Sequence, residues 1–342
     1  MGKVLVVGGG IAGMQTSLDL AAMDHPVYLI EKEKNLGGNL RNLYRVFPTN
    51  EKAETVLAGY LEKIEAQNNI TVYTNSTIFN FKGKAPAFKV TINTKGKRHK
   101  LSVGAIVLAT GFSLYDPAEK KEYGYGRYKD VISAVDLEKM LKDGKLERPS
   151  DSKKPESIVS VQCVGFRDIR ANEYCSSFCC MSALKNAVLI KKEHPEIEVT
   201  VMYMDIRTPS LYEQMYSDAR NLGVRFIRSR PAEIFEKNNK LVLNFENTLT
   251  GKTRTMESDL VVLSIGAIPS SETEELGKMM GLTLSKTGFF KVVSAPLGTD
   301  VNGIFVAGAN CGPKDTSYSL SQGSAAAAQV NKTLRDLNVK GG

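Results

Sequence analysis

Four of the five cysteines lie close together in the chain: Cys163, Cys175, Cys179 and Cys180. Thiolates are soft ligands for zinc and for iron–sulfur clusters. The spacing C-x11-C-x3-C-C matches neither the common ferredoxin runs nor a zinc ribbon. A single strand-to-helix loop can nevertheless fold back and bring four thiolates around one centre. A helix expected to begin near Met181 would favour an anionic thiolate set, and so would Arg167 and Arg170. On the residues alone three readings stay open: buried structural cysteines, a four-thiolate zinc site, or a thiolate-ligated cluster. A redox dithiol is less well supported, because the chain has no C-x-x-C pair. His25, His99 and His194 fall in expected loop or surface positions and read as solvated.

A second feature has the composition of a phosphate cradle. Gly8, Gly10 and Gly13 form G-x-G-x-x-G directly after a short apolar strand. The first glycine allows the tight turn, the second lets backbone approach a pyrophosphate, and the third lets helix pack on strand. The following helix N-terminus offers free N–H groups and partial positive charge. Glu31 ends the next strand, where its carboxylate can accept hydrogen bonds from ribose hydroxyls. Together these residues predict a dinucleotide site.

The elements that must position these groups follow an α/β alternation. A strand at Lys3–Val7, a helix to about Met23 and a strand at Val27–Ile30 make one β-α-β unit. Residues 51–68 have helical spacing. Short strands are expected at Ile70–Tyr73, Thr77–Lys82, Phe88–Thr94 and Ala105–Ala109. Residues 112–156 read as loop-rich. The alternation restarts with strands at Ser157–Val161, Glu198–Met204, Val224–Arg228 and Leu260–Ile265, and with helices at 181–193 and 210–222. This is a weak internal repeat. A strand at Ile304–Ala307 and an Ala-rich helix at 323–336 close the chain. The expected division is 1–115 as the first part of a dinucleotide-binding domain, 116–156 as a crossover, 157–284 as an inserted Rossmann-like domain bearing the cysteines, and 285–342 as the second part of the first domain.

The chain has 342 residues and a formal charge of +8, with 45 Lys and Arg against 37 Asp and Glu. The excess reads as spread along the chain. The run Lys95–Lys100 stands out and is expected at a hairpin tip. A solvated face is the first reading of that charge, and no nucleic-acid site is expected; docking of an acidic protein is the second reading. No secretory n-region precedes the first strand, and no apolar run is long enough to span a bilayer. The expectation is a cytoplasmic chain without a membrane span, whose cysteines are not disulfides.

Four further stretches carry a resemblance: Leu36-Gly37-Gly38, Val107-Leu108-Ala109-Thr110-Gly111, Gly266-Ala267-Ile268-Pro269 and Gly303-Ile304-Phe305-Val306-Ala307-Gly308. They resemble the motifs of flavoproteins with two dinucleotide-binding domains, the glutathione-reductase-like fold. The resemblance implies FAD on the first domain, with contacts from Gly8, Gly10, Ile11, Ala12, Gly13, Glu31, Lys32, Gly38, Asn39, Ile78, Ala109, Thr110, Gly111, Gly308, Lys314 and Asp315. In that superfamily an Asp usually follows the C-terminal glycine motif and binds the ribityl chain; here Ala309 follows, and the nearest acid is Asp315. NAD(P)H-using members carry a second glycine cradle in the inserted domain. Here Gln162-Cys163-Val164-Gly165 stands at that turn with one glycine, so nicotinamide binding in the usual place is not expected. No C-x4-C of the disulfide-reductase kind accompanies the flavin motifs. Cys311 is expected as a packed residue near the flavin.

The segment Gln162–Cys180 is also similar to the A-type flavin subunits of heterodisulfide reductase and their relatives. So are Phe47-Pro48-Thr49-Asn50, Glu122-Tyr123-Gly124-Tyr125-Gly126 and Ala307–Asp315. That family resemblance implies a [4Fe–4S] cluster on Cys163, Cys175, Cys179 and Cys180, with Lys314 near the flavin ring. It implies an electron-transfer oxidoreductase subunit in sulfur metabolism, with other subunits of such a complex as partners and a homodimer as oligomeric state. Long members bear extra cysteines after F-P-T-N, where this chain has Glu51-Lys52-Ala53-Glu54, and ferredoxin-type insertions that are absent here. The chain resembles the short form found in heterodisulfide-reductase-like complexes of sulfur oxidisers. Two other functions remain alternatives: a stand-alone NAD(P)H-dependent flavin oxidoreductase, and an assembly subunit with structural FAD.

Overall fold

The computed structural model describes residues 2–294 and 296–339. Continuous apolar runs build two parallel sheets, as expected of strands covered on both faces. In the first sheet, Val4–Val7 sits at the centre. Val27–Ile30 and then Ile70–Tyr73 pair on one side of it, and Ala105–Leu108 and then Ile304–Val306 on the other. Strand order reverses beside Val4–Val7, the place where open α/β sheets bind ligands. In the second sheet Ser157–Val161 is central. It is flanked by Glu198–Tyr203 and Arg225–Arg228 on one side, and by Leu260–Leu263 and Val131–Ser133 on the other.

Each sheet is accompanied by a three-stranded antiparallel meander. The first comprises Ser76–Lys82, Phe88–Thr94 and Lys97–Val103; the second comprises Pro231–Lys237, Lys240–Asn247 and Lys252–Ser258. The repeat that is faint in sequence is therefore the plan of both halves. The chain divides into two compact units. Unit 1 is 1–41, 53–113 and 268–342, and unit 2 is 42–52 and 114–267. Unit 1 packs Leu5, Phe88, Ile92, Ile106 and Ile304 in one core. Unit 2 packs Ile158, Leu184, Ile190, Val201 and Leu260 in another.

These units differ from the division expected from sequence. Residues 116–156 are not a crossover but part of unit 2. They supply its edge strand, Val131–Ser133, and a helix, Ala134–Lys142, opened by a reciprocal cap between Ser133 and Asp136. Residues 268–284 belong to unit 1, because helix Thr273–Met280 buries Leu276 and Met280 in its core. Residues 42–52 belong to unit 2. Their anchor is a fully buried ion pair. Lys185 Nζ lies 2.5 Å from Glu138 Oε1 and donates to Arg45 O at 2.9 Å, while Glu138 Oε2 accepts Tyr44 N at 2.9 Å.

Three local expectations are also corrected. The run 95–100 holds a tip only at Lys95–Gly96, where the chain turns; from Lys97 it is the third strand of the first meander, Lys97–Val103. The last helix runs Thr316–Val339, and Asp315 caps it by accepting Tyr318 N at 2.7 Å. His25 is not solvated. It is 2% exposed, with Nδ1 at 3.1 Å from Gly2 O and Nε2 at 3.0 Å from Asn331 Oδ1, tying the chain start to the last helix. No described helix is long and apolar enough to cross a membrane.

Candidate functional site: a dinucleotide cradle and a cysteine loop

The cradle of unit 1 lies at the C-terminal end of its central strand. Helix Ile11–Ala22 begins after Gly10 with no side-chain cap, so its first N–H groups remain open to an anion. A Cβ on Gly13 would come 1.9 Å from Gly8 O, so only glycine lets helix and strand approach this closely. A Cβ on Gly10 would meet nothing within 4 Å, which leaves open space on the side where a pyrophosphate would lie. Gly37 N donates to Gly9 O at 2.8 Å, and Gly38 faces Gly10, where an added Cβ would lie 3.2 Å from its Cα. Ile11 and Ala12 form the first turn of the helix, and the Ala12 methyl lies where a Cβ on Gly308 would clash.

Glu31 is buried. Its Oε2 accepts Gly9 N at 2.7 Å and its Oε1 accepts Glu33 N at 2.8 Å. Each carboxylate oxygen keeps a lone pair for a hydroxyl donor. Lys32 pairs with Glu272 at 3.6 Å. Burial raises the Glu272 pKa, and Lys32 opposes that rise. Ala109, Thr110 and Gly111 follow the neighbouring strand. Thr110 Oγ1 is buried without a partner, so an unsatisfied polar atom stands at the switch point. Asn39 Nδ2 donates to Phe112 O at 3.2 Å. The Ile78 side chain is committed to the core, so only its backbone is left for a cofactor.

Beside the cradle, in the last part of unit 1, Gly308 N donates to Gln322 Oε1 at 3.0 Å. Asn310 is fully buried. Its Nδ2 donates to Leu108 O at 2.7 Å and its Oδ1 has no partner. Asn310 and Gln322 are not expected from sequence; a buried amide two residues past a glycine motif is the available signal. Lys314 Nζ donates to Gly312 O at 3.0 Å and lies 3.5 Å from Cys311 Sγ. Cys311 is half-buried within this loop, and Asp315 caps the last helix.

In unit 2 the turn after Ser157–Val161 does not lead into a helix. A seventeen-residue loop, 162–178, intervenes before helix Cys179–Glu193. Gln162 fills the turn, donating to Ser160 Oγ and Ser264 Oγ at 3.0 and 2.8 Å. Ser176 Oγ accepts Ala267 N at 2.6 Å, and a Cβ on Gly266 would strike Ser176 and Phe166. Protein side chains thus occupy the place of a second glycine cradle.

Cys163 has φ 59, a left-handed conformation that costs energy outside glycine. Cys179 and Cys180 are the first two residues of the helix. None of the five cysteines is in a disulfide. Cys163, Cys179 and Cys180 are buried, and Cys175 is half-buried. Burial, then the neighbouring Cys180, pushes the Cys163 thiol up to about 11. Burial holds Cys179 and Cys180 high as well. A charge on one sulfur acts on another for every pair among the four, so they form one electrostatic group. Among the described residues, no three His, Cys, Asp or Glu are arranged as a ready metal shell. The donor set itself, four sulfurs outside any disulfide on this loop and the first turn of its helix, fits a thiolate-ligated cluster in type and number.

Side chains distant in sequence clamp this loop. Asp168 Oδ2 accepts Lys120 Nζ at 2.6 Å and Arg230 at 3.1 Å, and Arg230 Nε donates to the hydroxyl of fully buried Tyr123 at 3.3 Å. The Lys120 hydrogen bond, then the Arg170 backbone N–H, holds the Asp168 carboxyl well below the usual range. Arg167 pairs with Asp205 at 2.7 Å, while Arg170 reaches Asp168 at 3.4 Å.

Known proteins share this build. The fold resembles thioredoxin reductase from Lactococcus lactis, with a TM-score of 0.66 at 19% identity, covering 98% of this chain and 100% of that one. Thioredoxin reductase from T. acidophilum matches with a TM-score of 0.65 at 17% identity, covering 97% and 98%. In sequence, the chain is 34% identical to a CoB–CoM heterodisulfide reductase iron-sulfur subunit of Methanopyrus kandleri, covering 97% of this chain and 64% of that protein. It is 36% identical to the like-named iron-sulfur subunit of Methanocaldococcus jannaschii, covering 96% and 63%. The chain spans less than two thirds of the length of these relatives. Residues 2–329 match the family described as pyridine nucleotide-disulphide oxidoreductase. With its two Rossmann-like units and intact first glycine cradle, this oxidoreductase belongs to the pyridine nucleotide-disulphide oxidoreductase family.

Proposed function

We propose that the chain is an electron-transfer subunit that holds FAD on unit 1 and one [4Fe–4S] cluster on the cysteine loop of unit 2. The observation that carries this reading is the substitution at the second turn. Unit 1 keeps an open phosphate cradle, while unit 2 has in its place a loop and helix start that carry four thiols, each acting electrostatically on the other three. When bound, the flavin supplies exchange of one or two electrons and the cluster supplies exchange of single electrons.

The chain's own residues do the binding and positioning. The open N–H groups of the first helical turn, from Ile11, receive a pyrophosphate, and Glu31 is held by Gly9 N and Glu33 N to receive ribose hydroxyls. Thr110 Oγ1 and Asn310 Oδ1 are unpartnered groups awaiting a hydrogen bond at the flavin end. Lys314 stands in the same loop as the C-terminal glycine motif. Cys163, Cys175, Cys179 and Cys180 are the proposed ligands, and closure of their loop around the cluster on loading is part of the proposal. Partners would be other subunits of a heterodisulfide reductase-like complex, as the names of the relatives suggest.

The test is iron and acid-labile sulfide per FAD on protein purified without oxygen. About four of each per FAD is expected for one cubane. Cys179→Ala should remove the iron and leave FAD bound. FAD with neither iron nor sulfide, after anaerobic reconstitution, would return the cysteines to a structural role. It would also favour an NAD(P)H-dependent reductase, the activity that the family's description suggests.

A further inference from the structure

The positive charge of this chain is concentrated, contrary to the even spread expected from the sequence. Residues 66–115 hold seven of the 45 Lys and Arg and none of the 37 Asp and Glu, so the rest of the chain is balanced to within one charge. All seven cations lie on the first meander, Ser76–Lys82, Phe88–Thr94 and Lys97–Val103, or on its turns, and all seven are exposed. Among the described residues none of them has a carboxylate partner within ion-pair distance.

The strand register puts four of them on one face. Phe88, Val90 and Ile92 of the central strand point into the core, so Lys89 points outward. Lys89 stands opposite Lys82, and its Nζ donates to Ser102 Oγ at 2.9 Å. Outward-facing Thr91 and Asn93 bring Lys100 and Arg98 beside it. Strand spacing confines the four cations to a patch of roughly 10 by 14 Å. Within it lies Phe79, the extra residue of a bulge, 48% exposed, with the Arg98 guanidinium 3.7 Å from its ring centre.

Protection of sheet edges accounts for part of this. Lysines on edge strands keep sheets from pairing with one another, and Lys82 and Lys100 are on edges. Lys89 is on the central strand, directly opposite another lysine, an arrangement that costs stability. Edge protection does not require that acids be missing from fifty residues either.

We propose that this face docks an acidic protein, with the four cations meeting carboxylates around an apolar contact at Phe79. A stacked Arg–aromatic pair inside a charged ring is the composition of a protein-interface centre. The Phe79 ring is already covered by Arg98 on one side, which makes it a poor platform for stacking bases. One half-exposed ring is too little apolar surface to seat in a bilayer. This surface lies within unit 1 and depends on neither the flavin nor the cluster.

The test uses the full chain and two labelled acidic polypeptides, poly-L-glutamate and the copolymer poly(Glu,Tyr), titrated by fluorescence anisotropy at low and moderate salt. Wild type is expected to bind both, the copolymer more tightly, with affinity falling as salt rises. The variant K82S/K89S/R98S/K100S should bind ~tenfold or more weakly, the sum of four exposed ion contacts. A control variant, K121S/K129S/K142S/K192S, loses the same charge elsewhere and should bind like wild type. Phe79→Ser should lose only the preference for the copolymer. Matching thermal unfolding of all variants excludes misfolding. The proposal is overturned if wild type binds neither polypeptide, or if the control variant weakens as much as the face variant. Tighter binding of duplex DNA or of phosphatidylglycerol vesicles through the same four side chains would also overturn it.

Discussion

Gly10 and Gly13 lack the same side chain for opposite reasons. A methyl at Gly10 enters open space, while a methyl at Gly13 collides with the Gly8 carbonyl. Gly10→Ala should therefore leave apo stability within about 0.5 kcal/mol, yet weaken FAD retention at least ~tenfold by crowding the pyrophosphate. Gly13→Ala should cost ~1–3 kcal/mol of stability, as overpacking does. Thermal unfolding of both apo variants and FAD content after gel filtration separate the two effects; equal losses in both would refute the assignment. Asp168 gives a pH signature. Its folded pKa is lowered, so its contribution is complete above the unfolded value of about 4 and is lost as pH falls through the folded value. Asp168→Asn should destabilise by ~3–5 kcal/mol at neutral pH, because Lys120 stays buried without its partner. The gap to wild type should narrow below pH ~4. A gap that does not change with pH in calorimetry would mean that the carboxylate charge contributes nothing. The glycine turn was legible because its geometry is local. The Asp168 clamp was not, since its partners Lys120 and Arg230 lie 48 and 62 positions away, and only the fold brings them together.

At the scale of elements, the cysteine loop and segment 42–52 are held by different means. Segment 42–52 carries the F-P-T-N stretch and depends on the buried Lys185–Glu138 pair. Lys185→Met alone should cost ~3–5 kcal/mol in urea unfolding by stranding Glu138, whereas Lys185→Met with Glu138→Leu should recover most of it. Additive losses in the double variant would show that the two side chains act separately. Strand Val131–Ser133 and helix Ala134–Lys142 went unread because three and nine residues give little periodicity. The Ser133-x-x-Asp136 box was the one local sign of that helix. The long strands and helices of the parallel sheets were legible, since a buried sheet writes continuous apolar runs into the sequence.

For the whole molecule, the sequence was legible as two alternating halves, and the structure shows one plan used twice. What it could not show was which neighbouring residues each half would recruit, because unit 2 draws its edge strand from what looked like a connecting segment. The filled turn at Gln162 and Ser176 gives a prediction at this scale. Mixing the FAD-loaded chain with NADH or NADPH should leave the flavin absorbance unbleached in stopped-flow; rapid stoichiometric bleaching would mean that a nicotinamide binds after all.

The order in which the chain visits its two units also bears on synthesis. Strand Ile304–Val306 and helix Thr316–Val339 complete unit 1, and they follow all of unit 2 in the chain. A ribosome emits residues N-terminal first, at roughly 5–20 per second. The cysteine-bearing unit therefore emerges whole, with its 42–52 piece already made, while the flavin cradle still waits for its last strand. During translation the thiol loop can be packed before there is a finished unit 1 to hold a dinucleotide.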